Sequence, residues 1–226
     1  MPRAARYLPG GMVFHVLNRA VGRRTLFSHD GDYHAFESVL EETLRIRPMR
    51  ISAYCLMPNH WHLILWPEKD GQMSAFLQQL TNTHVKRWKA HRGEVGLGHL
   101  YQGRFKCFPV QSDEYFYDAV RYVERNALRA GLVEKAEHWL WSSLGQASRT
   151  TPASSIPIHW PLPRPRDWTA LANQPQTEAE LAALRKCIQR GCPFGHPDWT
   201  MDRAKTLQLE STLRPRGRPR CVKAES

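Results

Sequence analysis

Four short segments rich in β-branched and aromatic residues predict strands along the first half of the chain. The second and third are separated only by Pro58-Asn59, a pair typical of tight turns, so we expect these two strands to be antiparallel neighbours. The segments are "MVFHVLNRA" (12–20), "RISAYCLM" (50–57), "HWHLILW" (60–66) and "GRFKCFPV" (103–110).

Three longer segments repeat apolar residues at three- and four-residue steps, which predicts helices with one buried face. They cover residues 31–46, 73–91 and 112 to about 130, and Asp113 and Gly131 are typical residues for the two ends of the third. The repeating positions are Phe36, Val39, Leu40, Thr43 and Leu44 in the first helix and Phe76, Leu77, Leu80, His84 and Trp88 in the second.

The order of these elements is strand, helix, hairpin, helix, strand, helix. This order predicts an α+β domain, residues 1–149, in which helices pack on an antiparallel sheet. Residues 150–175 are rich in proline and predict a semi-rigid linker or a surface wrap. A small helical extension is predicted for residues 176–210, and residues 211–226 form a basic tail that we expect to be disordered when free.

The charge, the cysteines and the apolar runs of the chain limit the classes of function that it can have. Its 226 residues include 32 Lys and Arg against 21 Asp and Glu, a net charge of +11, which is typical of a surface that binds nucleic acid. Five cysteines without a C-x-x-C pair indicate neither a disulfide framework nor a thiolate zinc site. No apolar run approaches the ~20 residues of a membrane span, and the N-terminus lacks the apolar centre of a signal peptide, so we expect a cytoplasmic protein.

Two histidines one residue apart stand at the start of the third predicted strand, in "MPNHWHLIL". Residues two apart in a strand face the same side, so His60 and His62 present adjacent imidazoles while Trp61 and Leu63 face the opposite way. Two neutral imidazoles in this arrangement can share a cation. They are also explained as hydrogen-bonded residues at a sheet margin, which the spacing alone slightly favours, so both interpretations stay open.

The third predicted helix has a polar flank beside its core face. Tyr122 and Asn126 lie one turn apart on this flank, which could face the sheet margin that holds the histidines. Two imidazoles and one amide oxygen would make an open, three-ligand site for a divalent cation. The core face carries Phe116, Ala119, Val120, Val123 and Ala127.

The segments "MPNHWHLIL", "YQGRF" and "YFYDAVRYVERNALRAGLV", in this order, resemble the single-tyrosine HUH transposases, in particular the REP-associated tyrosine transposases. The HUH motif is two histidines around a bulky apolar residue, here His60-Trp61-His62. The tract "RYVERNALRAGLV" is similar to the family's "YI-x-x-NPVRAGLV" segment, with Ala127 where the family usually has proline. The resemblance covers about residues 7–146.

The resemblance implies the ferredoxin-like (RRM-like) fold of HUH enzymes and a metal-dependent DNA transesterase. Tyr122 would be the nucleophile, and Asn126 would complete a Mg²⁺ or Mn²⁺ site with His60 and His62. The implied substrates are single-stranded and hairpin DNA at extragenic palindromes, cut through a 5′-phosphotyrosine, and the implied location is the bacterial nucleoid. Tyr115, seven residues before Tyr122, is the alternative nucleophile but is more readily explained as a structural phenol.

Basic residues near these motifs are candidates for contacts to the DNA backbone. In the tail, "RPRGRPR" resembles the AT-hook, which binds the minor groove of A·T-rich DNA, although a nonspecific basic tail explains it equally well. The candidates are Arg104, Lys86, Arg87, Lys89, Arg125 and Arg129, and in the tail Arg216 and Arg218.

Two other classes of protein are considered. A non-catalytic nucleic-acid binder on a similar fold would usually expose aromatic residues on its sheet and would not need two histidines, a tyrosine and an asparagine together. A small-molecule metal phosphodiesterase would usually carry a second histidine motif, and the charge of +11 favours a polymeric substrate. The oligomeric state stays open between monomer and homodimer.

Overall fold

The computed structural model describes residues 7–147, 149 and 156–214. One antiparallel sheet of four strands, in the order β2-β3-β1-β4, organises this part of the chain. The strands are β1 (Val13–Arg19), β2 (Arg50–Met57), β3 (His60–Trp66) and β4 (Lys106–Val110).

Helices connect the strands and follow the last one. Two short 3₁₀ turns lie at Val21–Arg23 and Ala136–His138. The helices are α1 (Asp30–Ile46), α2 (Gln72–His91), α3 (Glu114–Glu124), α4 (Asn126–Arg129), α5 (Ser143–Gln146), α6 (Trp168–Asn173), α7 (Glu178–Arg190), α8 (Pro197–Thr206) and α9 (Glu210–Leu213).

The first face of the sheet is covered by α1 and α2. Alternate strand residues such as Trp61, Leu63 and Leu65 are fully buried there, against helix residues such as Phe36 and Leu80. The elements β1-α1-β2-β3-α2-β4 and their strand order are those of the ferredoxin-like fold. The predicted α+β fold with helices on an antiparallel sheet is therefore confirmed.

The second face of the sheet is covered by α3 and by the C-terminal extension. The predicted core face of α3 is confirmed, because Phe116, Ala119, Val120 and Val123 are fully buried. The same apolar cluster includes Leu184 of α7, so the extension packs against the sheet domain.

Both edges of the sheet are partly covered by residues from the last third of the chain. At the edge of β2, Ile51 forms a parallel bridge with Ile158, and Trp160 Nε1 donates a hydrogen bond to the Ser52 carbonyl. At the other edge, the Phe194 N–H donates to the Pro109 carbonyl. Residues 156–160 therefore pack along the edge of β2, and the unpaired groups that promote edge-to-edge association are partly satisfied.

Several details differ from the sequence-based expectations, and one is that the first residues of the tail predicted to be disordered belong to helix α9. The third predicted helix is divided at Arg125, whose backbone (φ −82°, ψ 0°) leaves the helical region, so α3 and α4 replace one continuous helix. The proline-rich segment contains α6, because Trp168 is buried and its Nε1 donates to Glu124. The last predicted helix begins at Pro197, before the expected residue 201, because proline is favoured in the first turn.

Within the described ranges, no helix has the length and apolar character needed to cross a membrane.

Candidate active site

The two histidines of the HUH motif lie on the second face of the sheet, together with a third histidine from β1. In the β1–β3 ladder, His62 is opposite Leu17 and Ile64 is opposite His15, so the His15 and His62 side chains are diagonal neighbours. The centroid of the His62 ring is 5.0 Å from that of His15 and 5.0 Å from that of His60.

Hydrogen bonds orient these imidazoles. His60 Nδ1 lies 2.6 Å from Asn59 Oδ1; since the amide oxygen accepts, His60 Nδ1 carries the proton and Nε2 keeps its lone pair. His62 Nδ1 shares a 2.8 Å hydrogen bond with His15 Nε2. In both residues of the motif, Nε2 is the nitrogen left for another partner.

Burial keeps the histidines neutral. Desolvation, assisted by the charges of Arg19 and Arg129, lowers the pKa of His60 to about 3. The pKa of His62 is also well below its usual value, mainly through desolvation and then through the neighbouring imidazoles. Neutral imidazole is the form that binds a metal ion.

Tyr122 projects from α3 toward these histidines. Its ring centroid lies 6.2 Å from that of His62 and 6.1 Å from that of His15, so the predicted flank of the helix faces one histidine of the motif and the histidine of β1. Tyr122 is more enclosed than its position off the core face suggested, with 7% of its surface exposed. Tyr115 lies elsewhere, edge-on to Phe194 with 5.2 Å between ring centroids.

Arg129 joins the two polar residues of this flank. Its Nη2 donates a 2.8 Å hydrogen bond to Asn126 Oδ1, and its guanidinium carbon lies 4.0 Å from the centroid of the Tyr122 ring. The sequence predicted Arg129 as a contact to the DNA backbone. In the structure it lies between Tyr122 and Asn126 instead. The break at Arg125 separates Asn126 from α3, and the buried Asn126 Nδ2 has no hydrogen-bond partner among the described residues.

The donor atoms suit a hard or borderline divalent cation. His60 and His62 each retain a lone pair on Nε2, and Asn126 Oδ1 can accept from Arg129 and still offer its second lone pair. Among the described residues, no cluster of three or more His, Cys, Asp or Glu side chains could hold a metal ion, so the set available here is two imidazoles and an amide.

A cleft of about 440 Å³ opens beside Tyr122. Among the described residues, its walls include four cationic side chains and no carboxylate, so its field attracts anions. Arg104, one of the predicted DNA contacts, lies in this wall. The other cations are Arg19, Lys106 and Arg185.

The second, larger cleft has a volume of about 830 Å³ and lies between α2 and the segment that precedes β4. Arg104 lines both clefts, and the predicted DNA contacts Lys86 and Lys89 line the larger one. Lys89 is already bonded there to the carbonyls of Leu97 and Gly98.

Two predicted DNA contacts in the described part of the chain, Arg87 and Arg125, do not line either cleft. Arg87 forms a 2.6 Å ion pair with Glu42 on the outer surface, and Arg125 donates to the Asn173 carbonyl at the end of α6. Arg216 and Arg218 lie outside the described residues.

Sequence reasoning missed His15 and Arg185 as parts of this site. His15 stands in a predicted strand, but only the register of β1 against β3 shows that it meets His62. Arg185 lies more than 60 positions after Tyr122 in the chain, and only the packing of α7 brings it to the cleft.

Comparisons with known proteins identify the family of this chain. The IS200-like transposase family matches residues 10–126. A REP-associated tyrosine transposase of Escherichia coli strain K12 is 26% identical over 156 residues, which cover 68% of this chain and 87% of that protein. A solved structure of a REP-associated tyrosine transposase bound to a REP hairpin is 24% identical, with a TM-score of 0.53, over 70% of this chain and 92% of that one. The predicted resemblance is confirmed, and the chain belongs to the IS200-like transposase family.

Proposed function

We propose that this protein is a single-strand DNA endonuclease and transposase that cuts and rejoins DNA at palindromic hairpins. The observation that carries the proposal is that Tyr122 of α3 lies beside the neutral His62 of the HUH motif and lines a cationic cleft. The REP-associated relative of solved structure is bound to a REP hairpin, which supports the same class of substrate for this chain. Such a substrate places the protein on the nucleoid.

Tyr122 is the proposed nucleophile. Its phenolic oxygen attacks the scissile phosphorus and loses its proton, the bond from phosphorus to the 3′ oxygen breaks, and that oxygen takes up a proton. The products are a 5′-phosphotyrosine and a free 3′-OH. The phosphotyrosine keeps the energy of the broken ester, so rejoining needs no nucleotide cofactor.

His60, His62 and Asn126 are the proposed ligands of a divalent cation, Mg²⁺ or Mn²⁺. The cation would polarise the scissile phosphate and neutralise the charge that develops during the attack. Asn59 and His15 hold the two imidazoles so that Nε2 is the ligating atom in each. Arg129 holds Asn126 Oδ1 and covers one face of the phenol, which fixes the nucleophile next to the ligands.

Replacing each tyrosine by phenylalanine tests the proposal. Tyr122→Phe removes the attacking oxygen and little else, so it should bind a hairpin with a single-stranded flank as the wild type does but produce no nick. Tyr115→Phe is the matched control in the same helix and should cut normally. Cleavage by Tyr122→Phe at the wild-type rate would refute the assignment.

A further inference from the structure

The cleft beside Tyr122 has two walls that come from distant parts of the sequence. One wall belongs to the sheet domain and includes Arg19 and Arg104. The other is formed by α7 of the C-terminal extension, through Arg185, Ile188 and Gln189. The IS200-like family match ends at residue 126, so this second wall lies outside the region that defines the family.

The second wall is held firmly against the helix that carries the nucleophile. Leu184 is fully buried in the apolar cluster shared with α3. Arg121 of α3 donates hydrogen bonds to the carbonyls of Gln174 and Pro175, just before α7. Thr177 and Glu180 form a complete capping box at the first turn of α7, which fixes where the helix begins.

Arg185 is available for an anionic ligand. Half of its side chain is exposed. Its ion pair with Glu178 is weak, because the two charged groups are 3.7 Å apart and the Glu178 side chain is 88% exposed. The charge of Arg185 acts on the site. The pKa of Arg129 is lowered mainly by desolvation, and the positive charge of Arg185 lowers it further. On the facing wall, the buried Arg19 Nε has no hydrogen-bond partner in the part of the chain that the structure describes.

We propose that α7 completes the DNA-binding cleft and that Arg185 binds a backbone phosphate of the single strand next to the scissile position. The inference rests on the proposed function and adds a binding residue to it. The ligand class follows from the walls, which present cations on both sides and no carboxylate. A single strand that lies in the cleft would be contacted from both walls.

The affinity for single-stranded oligothymidylate tests the role of Arg185, because phosphate contacts do not depend on sequence. In a Tyr122→Phe background, where nothing is cut, Arg185→Ala should bind this probe about tenfold more weakly, as expected for the loss of one hydrogen bond to a charged group. The dependence of affinity on salt should become shallower by about 0.7 in slope, as expected for one lost phosphate contact. Arg185→Lys keeps the charge and should retain most of the affinity.

Lys186→Ala is the matched control, because it also removes one positive charge from α7. Lys186 follows Arg185 in the chain and is exposed, but it does not line the cleft. It should change the affinity less than Arg185→Ala does. Equal losses in the two variants, an unchanged affinity in Arg185→Ala, or tighter binding by Arg185→Ala would each overturn the proposal. These outcomes are independent of whether the wild type forms a phosphotyrosine, so the inference and the proposed function fail separately.

Discussion

His15 Nε2 lies 2.8 Å from His62 Nδ1. The two imidazoles stack with each other on the second face of the sheet, the face that α3 covers. His15 is fully buried, and its other nitrogen, Nδ1, has no partner among the described residues. If His62 binds a cation through Nε2, its Nδ1 proton points to His15 Nε2, so His15 fixes the tautomer of the proposed ligand.

We predict that His15→Leu lowers the affinity for Mn²⁺ about 10- to 100-fold, the usual effect of losing a group that orients a metal ligand. His15→Gln retains a side-chain oxygen that can accept the hydrogen bond from His62 Nδ1, so it should lose less of the affinity for Mn²⁺. Titration of Mn²⁺ followed by electron paramagnetic resonance measures this without DNA, and circular dichroism checks the fold. Wild-type affinity in His15→Leu would show that the contact is only structural.

Arg129 should be needed for the rate of cleavage more than for DNA binding. Lysine would keep the charge but not the planar fork that both donates to Asn126 and stacks on Tyr122. Arg129→Lys should therefore slow single-turnover cleavage about 10- to 100-fold, because small displacements of a nucleophile are costly. Arg87→Lys, in a surface ion pair with Glu42, is the control and should cut normally. Equal rates in both variants would exclude the positioning role.

Local patterns predicted the elements whose determinants are local. The bounds of β2 and β3 are as predicted, because their apolar residues are continuous and a proline-asparagine turn separates them. The face of α3 that carries Tyr122 was also predictable from helical periodicity alone. The contact between Tyr122 and His62 follows from this prediction once the flank is assumed to face the sheet.

Features that depend on contacts between distant residues were not predictable. The break at Arg125 accompanies a hydrogen bond to Asn173, nearly fifty positions later. Helix α6 forms in a proline-rich segment where Trp168 can bury its ring and bond Glu124. The partnership of His15 with His62 depends on a strand register that no local pattern encodes.

The stability of the protein should fall at acidic pH, in part through His84. This buried residue of α2 bonds Tyr101 through Nδ1, and desolvation lowers its pKa to about 3. Between about pH 6.5 and 3 the unfolded chain binds a proton that the folded chain does not, so the free energy of unfolding decreases as the pH falls. His84→Gln should flatten this dependence by about 1.36 kcal/mol per pH unit in that range. An identical slope in urea unfolding of both proteins would contradict the prediction.

The tail is predicted to add affinity for duplex DNA without taking part in cleavage. Removing residues 215–226 deletes Arg216 and Arg218, the core of the AT-hook resemblance, and leaves every described helix in place. The truncated protein should bind A·T-rich duplex more weakly and cut a hairpin substrate normally at saturating protein. If A·T-rich and G·C-rich duplexes lose affinity equally, the tail is only a nonspecific basic segment.

Mass spectrometry of the covalent intermediate tests the central claim most directly. The wild-type protein, incubated with Mg²⁺ or Mn²⁺ and a hairpin that carries a single-stranded flank, is denatured and digested, and the peptide that retains a nucleotide is sequenced. We predict a 5′ phosphate of the cut strand attached to Tyr122, and no adduct after chelation of the cation. Attachment to Tyr115, or complete cleavage with no adduct at all, would contradict the account.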